Sequence, residues 1–459
     1  MHKMLYYLRI FLLLIIFLIP VGLIAWLVSS RLITSTNDLG CYRCNVIFIS
    51  IDDFGAKHSS VYDSTLPTTP FLLELAETRA VVFNHAYTNA PWTLPSHTAM
   101  FTGRYPWTIG MNTVSDKLSS EIPTIFTAVA SHGYDTAAFS DGPFVNPIWG
   151  TTNGITTFQG SIQYKDWSDV PKLFTDASAW LSNRNSKQPF FLLLHPFGVH
   201  DPYGAPGTSE EITPSDIVTA NTQASGPTEQ EVTRFKNAYE NAITRTDASL
   251  RSFFAALDAS PYVKNTIVVL VSDHGEEFNE HGNVGMHGIN VYNEVLHVPL
   301  LIILPNGKAR RINQTVELRS LPATIMELVG YGSQHAFPSS TSLVPMMRGK
   351  NVPNQRILSG TDNSKAFFLK VYGAGPEKSN EENTSATVSL VKNTARLPLF
   401  TSVVQGNLHL IKHGESNFEL YNIAKDPDEK DNLFKTPEKL TFEEQERLKQ
   451  MLFDISAPK

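Results

Sequence analysis

Apolar and polar positions fall into alternating blocks along this chain. Residues Asn45–Ile51 (NVIFISI) form a short, β-branched apolar run, the pattern of a buried strand. Similar runs recur at residues 81–83, 136–140, 190–194 (FFLLL), Thr266–Ser272 (TIVVLVS) and 298–304 (VPLLIIL). Helical spacing lies between them. Pro70 opens a helix over 70–79, a position where proline is tolerated. Further helices are predicted at 122–132, through 177–181, and over the long amphipathic stretch 228–257. A helix is also predicted to start near Ser96. Strands alternating with helices predict an α/β fold: a mostly parallel sheet sandwiched by helices, with right-handed crossovers.

After Pro345 the pattern changes. Residues 366–372 and 408–413 alternate, and 441–455 read as a helix, predicting a smaller antiparallel sheet with a helix packed on it. Segments 204–230 and 374–396 read as polar loops.

The N-terminus differs from everything that follows. Residues 10–28 (IFLLLIIFLIPVGLIAWLV) carry no charge, and a membrane-spanning helix needs about 20 such residues. Lys3 and Arg9 precede the run, and Trp26 sits where an interfacial aromatic belongs. Pro20 and Gly22 are tolerated in a span. The run is long for a cleaved signal peptide, and no small-x-small cleavage site follows it. The expected organisation is a membrane anchor over 1–30, a linker over 31–44, a main domain over 45–345 and a C-terminal subdomain over 346–459. This makes a single-pass membrane protein with its body outside the cytoplasm.

Composition adds limits. The 459 residues are 42% hydrophobic and 18% charged, as in ordinary globular proteins. A net charge of -7 argues against a general nucleic-acid partner. The 2 cysteines, Cys41 and Cys44, both precede the first strand. Without a further pair to complete a zinc site, they read as a small disulfide or two idle thiols in the linker.

In open α/β sheets, ligands bind beyond the carboxyl ends of the strands. Asp52 and Asp53 end the first strand; His195, His200 and Asp201 follow FFLLL; Asp273 and His274 end TIVVLVS, with Gly275 and Glu276 behind them. Adjacent carboxylates repel, and a cation offsets that cost. In residues 90–104 (APWTLPSHTAMFTGR) a Pro-Trp-Thr-Leu-Pro turn leads into the predicted helix, whose N-terminus favours an anionic group beside Thr93. Ser96 reads as an N-cap as well.

These motifs resemble, in order, those of the sulfatase branch of the alkaline phosphatase superfamily. NVIFISIDDFG is similar to the family's opening strand and metal aspartates, and TLPSHTAMFTGRYP to its nucleophile signature. PFFLLLHPFGVHDPY resembles the segment bringing a substrate-side histidine, here His200. VLVSDHGEE resembles the second metal pair, and the stretch after it places His287 near the cationic substrate contact. FELYNIAKDPDEKDNL resembles the C-terminal signature. The resemblance implies one divalent metal ion on Asp52, Asp53, Asp273, His274 and Thr93. Oxygen ligands suit calcium or magnesium, and the imidazole of His274 tilts the choice to manganese or zinc. A second ion would need further ligands, with His200, His281 and His287 as candidates.

The departures bear on chemistry. Thr93 stands where the family carries Cys or Ser, which its members oxidise to formylglycine; oxidising threonine gives a ketone instead of an aldehyde. His97 replaces the signature arginine, and the Gly-Lys-Trp-His segment expected after Gly133 is not evident. The expected mechanism is direct attack by Thr93, with His200 and His287 contacting the non-bridging oxygens or protonating the leaving group. This favours a metal-dependent hydrolase or transferase acting on phosphate mono- or diesters. The alternative is a sulfuric ester hydrolase, and the third reading is an inactive, membrane-tethered binding protein. The substrate is then an anionic ester such as a lipid head group or surface glycan. Asn112, Asp141 and Asp247 are further polar candidates near such a site.

Overall fold

The computed structural model describes residues 39, 41–160, 168–203, 211–332, 336–363, 365, 369 and 398–456. The apolar run 10–28, the segment 374–396 and nearly all of 366–372 lie outside them. Among the described residues, no helix is long and apolar enough to cross a membrane.

Eight strands form the main sheet: β1 (Asn45–Ile51), β2 (Ala80–Tyr87), β3 (Asp135–Ser140), β4 (Thr157–Gly160), β5 (Phe190–His195), β6 (Thr266–Ser272), β9 (Leu300–Ile303) and β10 (Arg310–Glu317). A two-stranded hairpin, β7 (Glu277–Phe278) with β8 (Val284–Met286), stands apart. The order across the sheet is β10-β2-β9-β6-β1-β5-β3-β4. Alternate residues of the central strands face opposite cores, as a period of two requires. Ile47, Ile49, Phe190, Leu192, Val268 and Leu270 pack on one side. Val46, Phe48, Phe191, Leu193, Ile267 and Val269 pack on the other. Both faces are covered, which is why these strands read as continuous apolar runs.

All pairings in this sheet are parallel except those of β9, which runs antiparallel to both β2 and β6. The run 298–304 supplies the antiparallel strand of a mostly parallel sheet; periodicity carries no sign of direction. Helix Glu229–Asp258 buries Phe235, Tyr239, Ile243, Leu250 and Phe253, and it starts with a Thr228/Glu231 capping box.

Two expectations are corrected. Helix Pro214–Thr222 occupies the middle of the expected loop 204–230, with Thr213 and Asp216 forming its capping box. The helix expected near Ser96 begins at Thr93.

The C-terminal unit is a four-stranded antiparallel sheet: β11 (Arg356–Thr361), β12 (Phe400–Gln405), β13 (Leu408–His413) and β14 (Asn417–Asn422). One face packs Leu358, Val403, Leu410 and Leu420 against Met451 and Ile455 of helix Phe442–Ser456. The other packs Ile357, Val404 and Ile411 against Tyr87, Val295 and Leu296 of the main domain. Cys41 and Cys44 form a disulfide ahead of β1.

Candidate active site

Strand order builds the site. β1 lies between β6 and β5, with Ile51 opposite Ser272 and Ile49 opposite Leu194. The residues that follow these strands therefore meet at one end of the sheet: Asp52 and Asp53, Asp273 and His274, and the segment from His195 to His200. Asp52, Asp53, Asp273 and His274 are all fully buried. Asp53 adopts a left-handed backbone, φ 57°, uncommon for a residue with a side chain. Its N–H donates to Asp273 Oδ1 at 3.0 Å, and its carbonyl accepts from the Tyr239 hydroxyl at 2.8 Å. Gly275 lets the two motif backbones touch: a Cβ there would lie 2.3 Å from the Glu294 carbonyl oxygen and 2.9 Å from Gly55 Cα.

Thr93 is the first residue of its helix, and its predecessor Trp92 is extended and makes no side-chain cap. The free N–H groups of such an end favour an anion. Ser96, expected as the cap, lies within the first turn instead. Its hydroxyl donates to the Asp273 carbonyl at 2.7 Å and meets Thr88 Oγ1 at 2.8 Å, tying the helix to the end of β6. Thr93 Oγ1 lies 3.4 Å from Asp52 Oδ2 and 3.3 Å from His274 Nε2. Behind it, His97 Nδ1 sits 2.9 Å from the Thr93 carbonyl oxygen and its Nε2 2.9 Å from Ser50 Oγ.

The donor set fits a divalent cation. Asp52 Oδ1, both Asp53 carboxylate oxygens and Asp273 Oδ2 are buried without a hydrogen-bond partner, a costly arrangement unless a cation is shared among them. Asp52, Asp273 and His274 form one group with ligand geometry; Asp53, His274 and His287 form a second, adjoining one. His274 Nε2 is 3.5 Å from Asp273 Oδ2 and 3.8 Å from Asp52 Oδ1. Its Nδ1 is 3.2 Å from the Gly275 carbonyl oxygen, which commits that proton and leaves Nε2 as the ligand atom. Burial and the neighbouring His287 push His274 down to about 3, so the ring is neutral, the ligand form. Burial, then nearby carboxylates, raise Asp53 and Asp273 well above the usual range. Burial also works to raise Asp52, but His195 beside it outweighs this and holds it below that range.

Two imidazoles flank this cluster. The His287 ring lies 4.4 Å from that of His274 and 5.0 Å from that of His200. His200 stacks on Phe197 at 4.2 Å, with Nδ1 2.9 Å from Asp201 Oδ1. Burial opposes protonation of His200, yet Asp201, and then Asp52, push it up to about 10. In the metal-free cluster this favours the cationic form of His200, the form suited to an anionic ester.

A sulfatase family profile matches residues 44–331. The chain belongs to the sulfatase family. Metal-dependent hydrolysis of ester bonds is the chemistry of that family. Delta 4,5-hexuronate-2-O-sulfatase of Bacteroides thetaiotaomicron is 25% identical over 453 residues, covering 86% of this chain and 85% of that protein. Arylsulfatase K of Rattus norvegicus is 24% identical over 343 residues, 62% of this chain, and the match spans 60% of the rat protein's length. Among solved structures, a 2-O GAG sulfatase superposes with a TM-score of 0.68 at 20% identity, over 90% of this chain and 91% of that one. The phosphonate monoester hydrolase of Agrobacterium radiobacter superposes with a TM-score of 0.66 at 15% identity, over 90% and 96%. These superpositions show the fold.

Within this member of the sulfatase family, the other expected residues fall elsewhere. His281 joins Glu294 at 2.9 Å and stacks on Tyr292, away from the cluster. His195 turns Nδ1 to the Ser50 carbonyl oxygen at 3.0 Å and sets Nε2 3.2 Å from Asp52 Oδ2. Its ring fits because residue 142 is glycine: a Cβ there would lie 2.6 Å from His195 Nε2. Asp141 accepts from Ser168 Oγ at 2.9 Å, and burial raises it to about 6. Asp247 serves the fold, accepting from the backbone N–H of Phe71 and Leu72 at 2.9 and 3.0 Å. The Asn112 N–H donates to Asp116 Oδ2 at 2.7 Å within its own loop. Tyr203 and Glu276 carry no motif signal of their own in the sequence, although Glu276 directly follows the Asp-His-Gly of the second metal pair.

Proposed function

We propose that this sulfatase-family chain hydrolyses sulfuric esters of an anionic, sugar-like substrate with Thr93 as its nucleophile. The observation that carries the reading is the Thr93 hydroxyl, held between Asp52 and His274 at the edge of a buried carboxylate and imidazole cluster. A hexuronate sulfatase matched over most of both chains supports the sulfuric ester and the sugar, ahead of the phosphate ester suggested by the threonine. A divalent cation held by Asp52, Asp273 and His274 together with Thr93, with Asp53 in the adjoining group, would draw charge from the ester and ease loss of the hydroxyl proton. Manganese or zinc suits the imidazole better than calcium or magnesium.

The side chains divide the remaining work. The Thr93 hydroxyl lies 3.4 Å from Asp52 Oδ2 and 3.3 Å from His274 Nε2, contacts that aim Oγ1 for attack on sulfur as its proton leaves to solvent. The His200 cation pairs with the non-bridging oxygens. His287 gives a proton to the departing oxygen, then takes one from the water that releases sulfate, while Thr93 recovers its proton from solvent.

Thr93 itself supports a second reading, phosphate or phosphonate esters. A threonine cannot supply the formylglycine aldehyde, and a sulfo-threonine lacks the elimination route that the aldehyde hydrate provides, whereas a phospho-threonine is resolved by attack at phosphorus. Paired assays on aryl sulfate, 2-O-sulfated hexuronate, aryl phosphate, phosphodiester and arylphosphonate, with and without manganese, test both. Sulfate turnover exceeding every phosphorus ester supports the first reading; the reverse order replaces it with the second.

The uncharged run 10–28 supports a membrane tether with the main domain outside the cytoplasm, which brings surface glycans and lipid head groups within reach. Retention of the full chain in carbonate-washed membranes tests this; release into the wash contradicts it.

A further inference from the structure

Glu276 is fully buried and has no part in the scheme above. Burying a carboxylate is costly unless it is matched by donors, and here both its oxygens are engaged. Oε2 accepts from the Tyr203 hydroxyl. Oε1 lies 3.3 Å from His287 Nδ1. Tyr203 is itself fully buried and is fixed by a backbone bridge to Ile212. Glu276 therefore joins the segment carrying His200 to the segment carrying His287.

A carboxylate on one ring nitrogen of a histidine fixes its tautomer and its rotation. Nδ1 lies 3.3 and 3.4 Å from the two Glu276 oxygens and 3.8 Å from Asp53 Oδ1, so Glu276 is its nearer carboxylate and the chemistry of His287 falls to Nε2. The ring plane is set as well, at 30° to the His274 ring. The neighbouring Glu277 is used differently: it accepts from Asn283 and Asn290 and serves the hairpin.

We propose that Glu276 is a positioning residue, steadied by Tyr203, that orients His287 so that Nε2 delivers a proton to the oxygen leaving the ester. This rests on the hydrolytic role given to His287 above. As the bond from sulfur (or phosphorus) to that oxygen breaks, its electron pair stays on the oxygen and the Nε2 proton moves there. His287 is then neutral and keeps its Nδ1 proton on Glu276; the incoming water restores the Nε2 proton.

The test compares full-length, manganese-loaded wild type, Glu276→Gln and Tyr203→Phe on aryl sulfates of graded phenol acidity and on the matching aryl phosphates. Proton delivery matters little for an acidic phenol and greatly for a basic one. The expected result is a loss in kcat of less than about threefold on the most acidic phenol and about 100-fold on the least acidic. Metal content and KM should stay at wild-type values, and Tyr203→Phe should show the same trend with a smaller slope. An equal loss across the series, or a loss that tracks metal content, overturns the assignment. Should Glu276→Gln fail to fold, the slope in Tyr203→Phe decides alone, and a flat slope overturns it. Wild type inactive on both series contradicts the hydrolase reading itself, a result separate from a flat slope in an active enzyme.

Discussion

The Thr93 hydroxyl stands 3.3 Å from Nε2 of His274, although the residues are 181 positions apart in the chain. The helix that starts at Thr93 and the strand that ends before Asp273 are linked by the Ser96 hydroxyl on the Asp273 carbonyl. Nucleophile and ligand are thus positioned through one hydrogen-bonded corner. Thr93→Ala should lower kcat at least about 1,000-fold, while Thr93→Ser, which keeps the oxygen, should retain measurable turnover. Steady-state kinetics on the best ester checks both; turnover in Thr93→Ala within tenfold of wild type would remove Thr93 from the chemistry.

Metal binding should invert the effect of an aspartate substitution on stability. Burial and neighbouring carboxylates raise Asp273, so its ionisation costs the metal-free fold stability at neutral pH. In chelator-treated protein, Asp273→Asn should unfold at a higher temperature than wild type. Added manganese should raise the wild-type midpoint, by about 2.7 kcal/mol of stability at a free concentration near 100 times Kd, and leave the variant nearly unmoved. Differential scanning fluorimetry reads all four states. A metal-free variant less stable than metal-free wild type would contradict the repulsion argument.

His200 sets a pH dependence of the opposite origin. Against burial, Asp201 and Asp52 raise its pKa from about 6.5 unfolded to about 10 folded. The folded state binds this proton more tightly, so the contribution is complete below pH 6.5 or so and is lost as pH rises through about 10. In metal-free protein, wild type should lose stability across this window more steeply than His200→Asn. Chemical denaturation at several pH values measures it; parallel curves would show that the pair does not couple to folding.

Asp247 separates scaffold from site. Its carboxylate caps helix Pro70–Thr78 through the N–H groups of Phe71 and Leu72, where Thr69 makes no side-chain cap. Asp247→Ala should cost about 1–3 kcal/mol of stability with kcat unchanged at temperatures where the variant is folded. A large fall in kcat without loss of stability would move Asp247 into the site.

Much of this was legible in the sequence because strand ends carry the chemistry. Doubly covered strands are continuously apolar, so their last residues stand out, and Asp52, Asp53, Asp273 and His274 were read from that contrast. The sequence could not show that Asp53 turns from Asp52 toward His287, because this follows from its φ of 57°. Nor could it show that β9 reverses direction, since alternation is blind to polarity. Helix Pro214–Thr222 was missed because its residues are mostly polar and Pro214 resembles a loop breaker, although proline is favoured at a first helical position. His281 and His287 look equivalent along the chain; only packing sends the first to Glu294 and the second to the cluster. The role of Glu276 is not legible in the sequence because its partners, Tyr203 and His287, come from separate segments.

The most direct test is anomalous diffraction from crystals grown with manganese. The arrangement of Asp52, Asp273, His274 and Thr93 requires one strong peak within bonding distance of Asp52, Asp273, His274 Nε2 and Thr93 Oγ1. A peak bound elsewhere, or one at the carboxylates with the Thr93 hydroxyl turned away from it, would contradict the account.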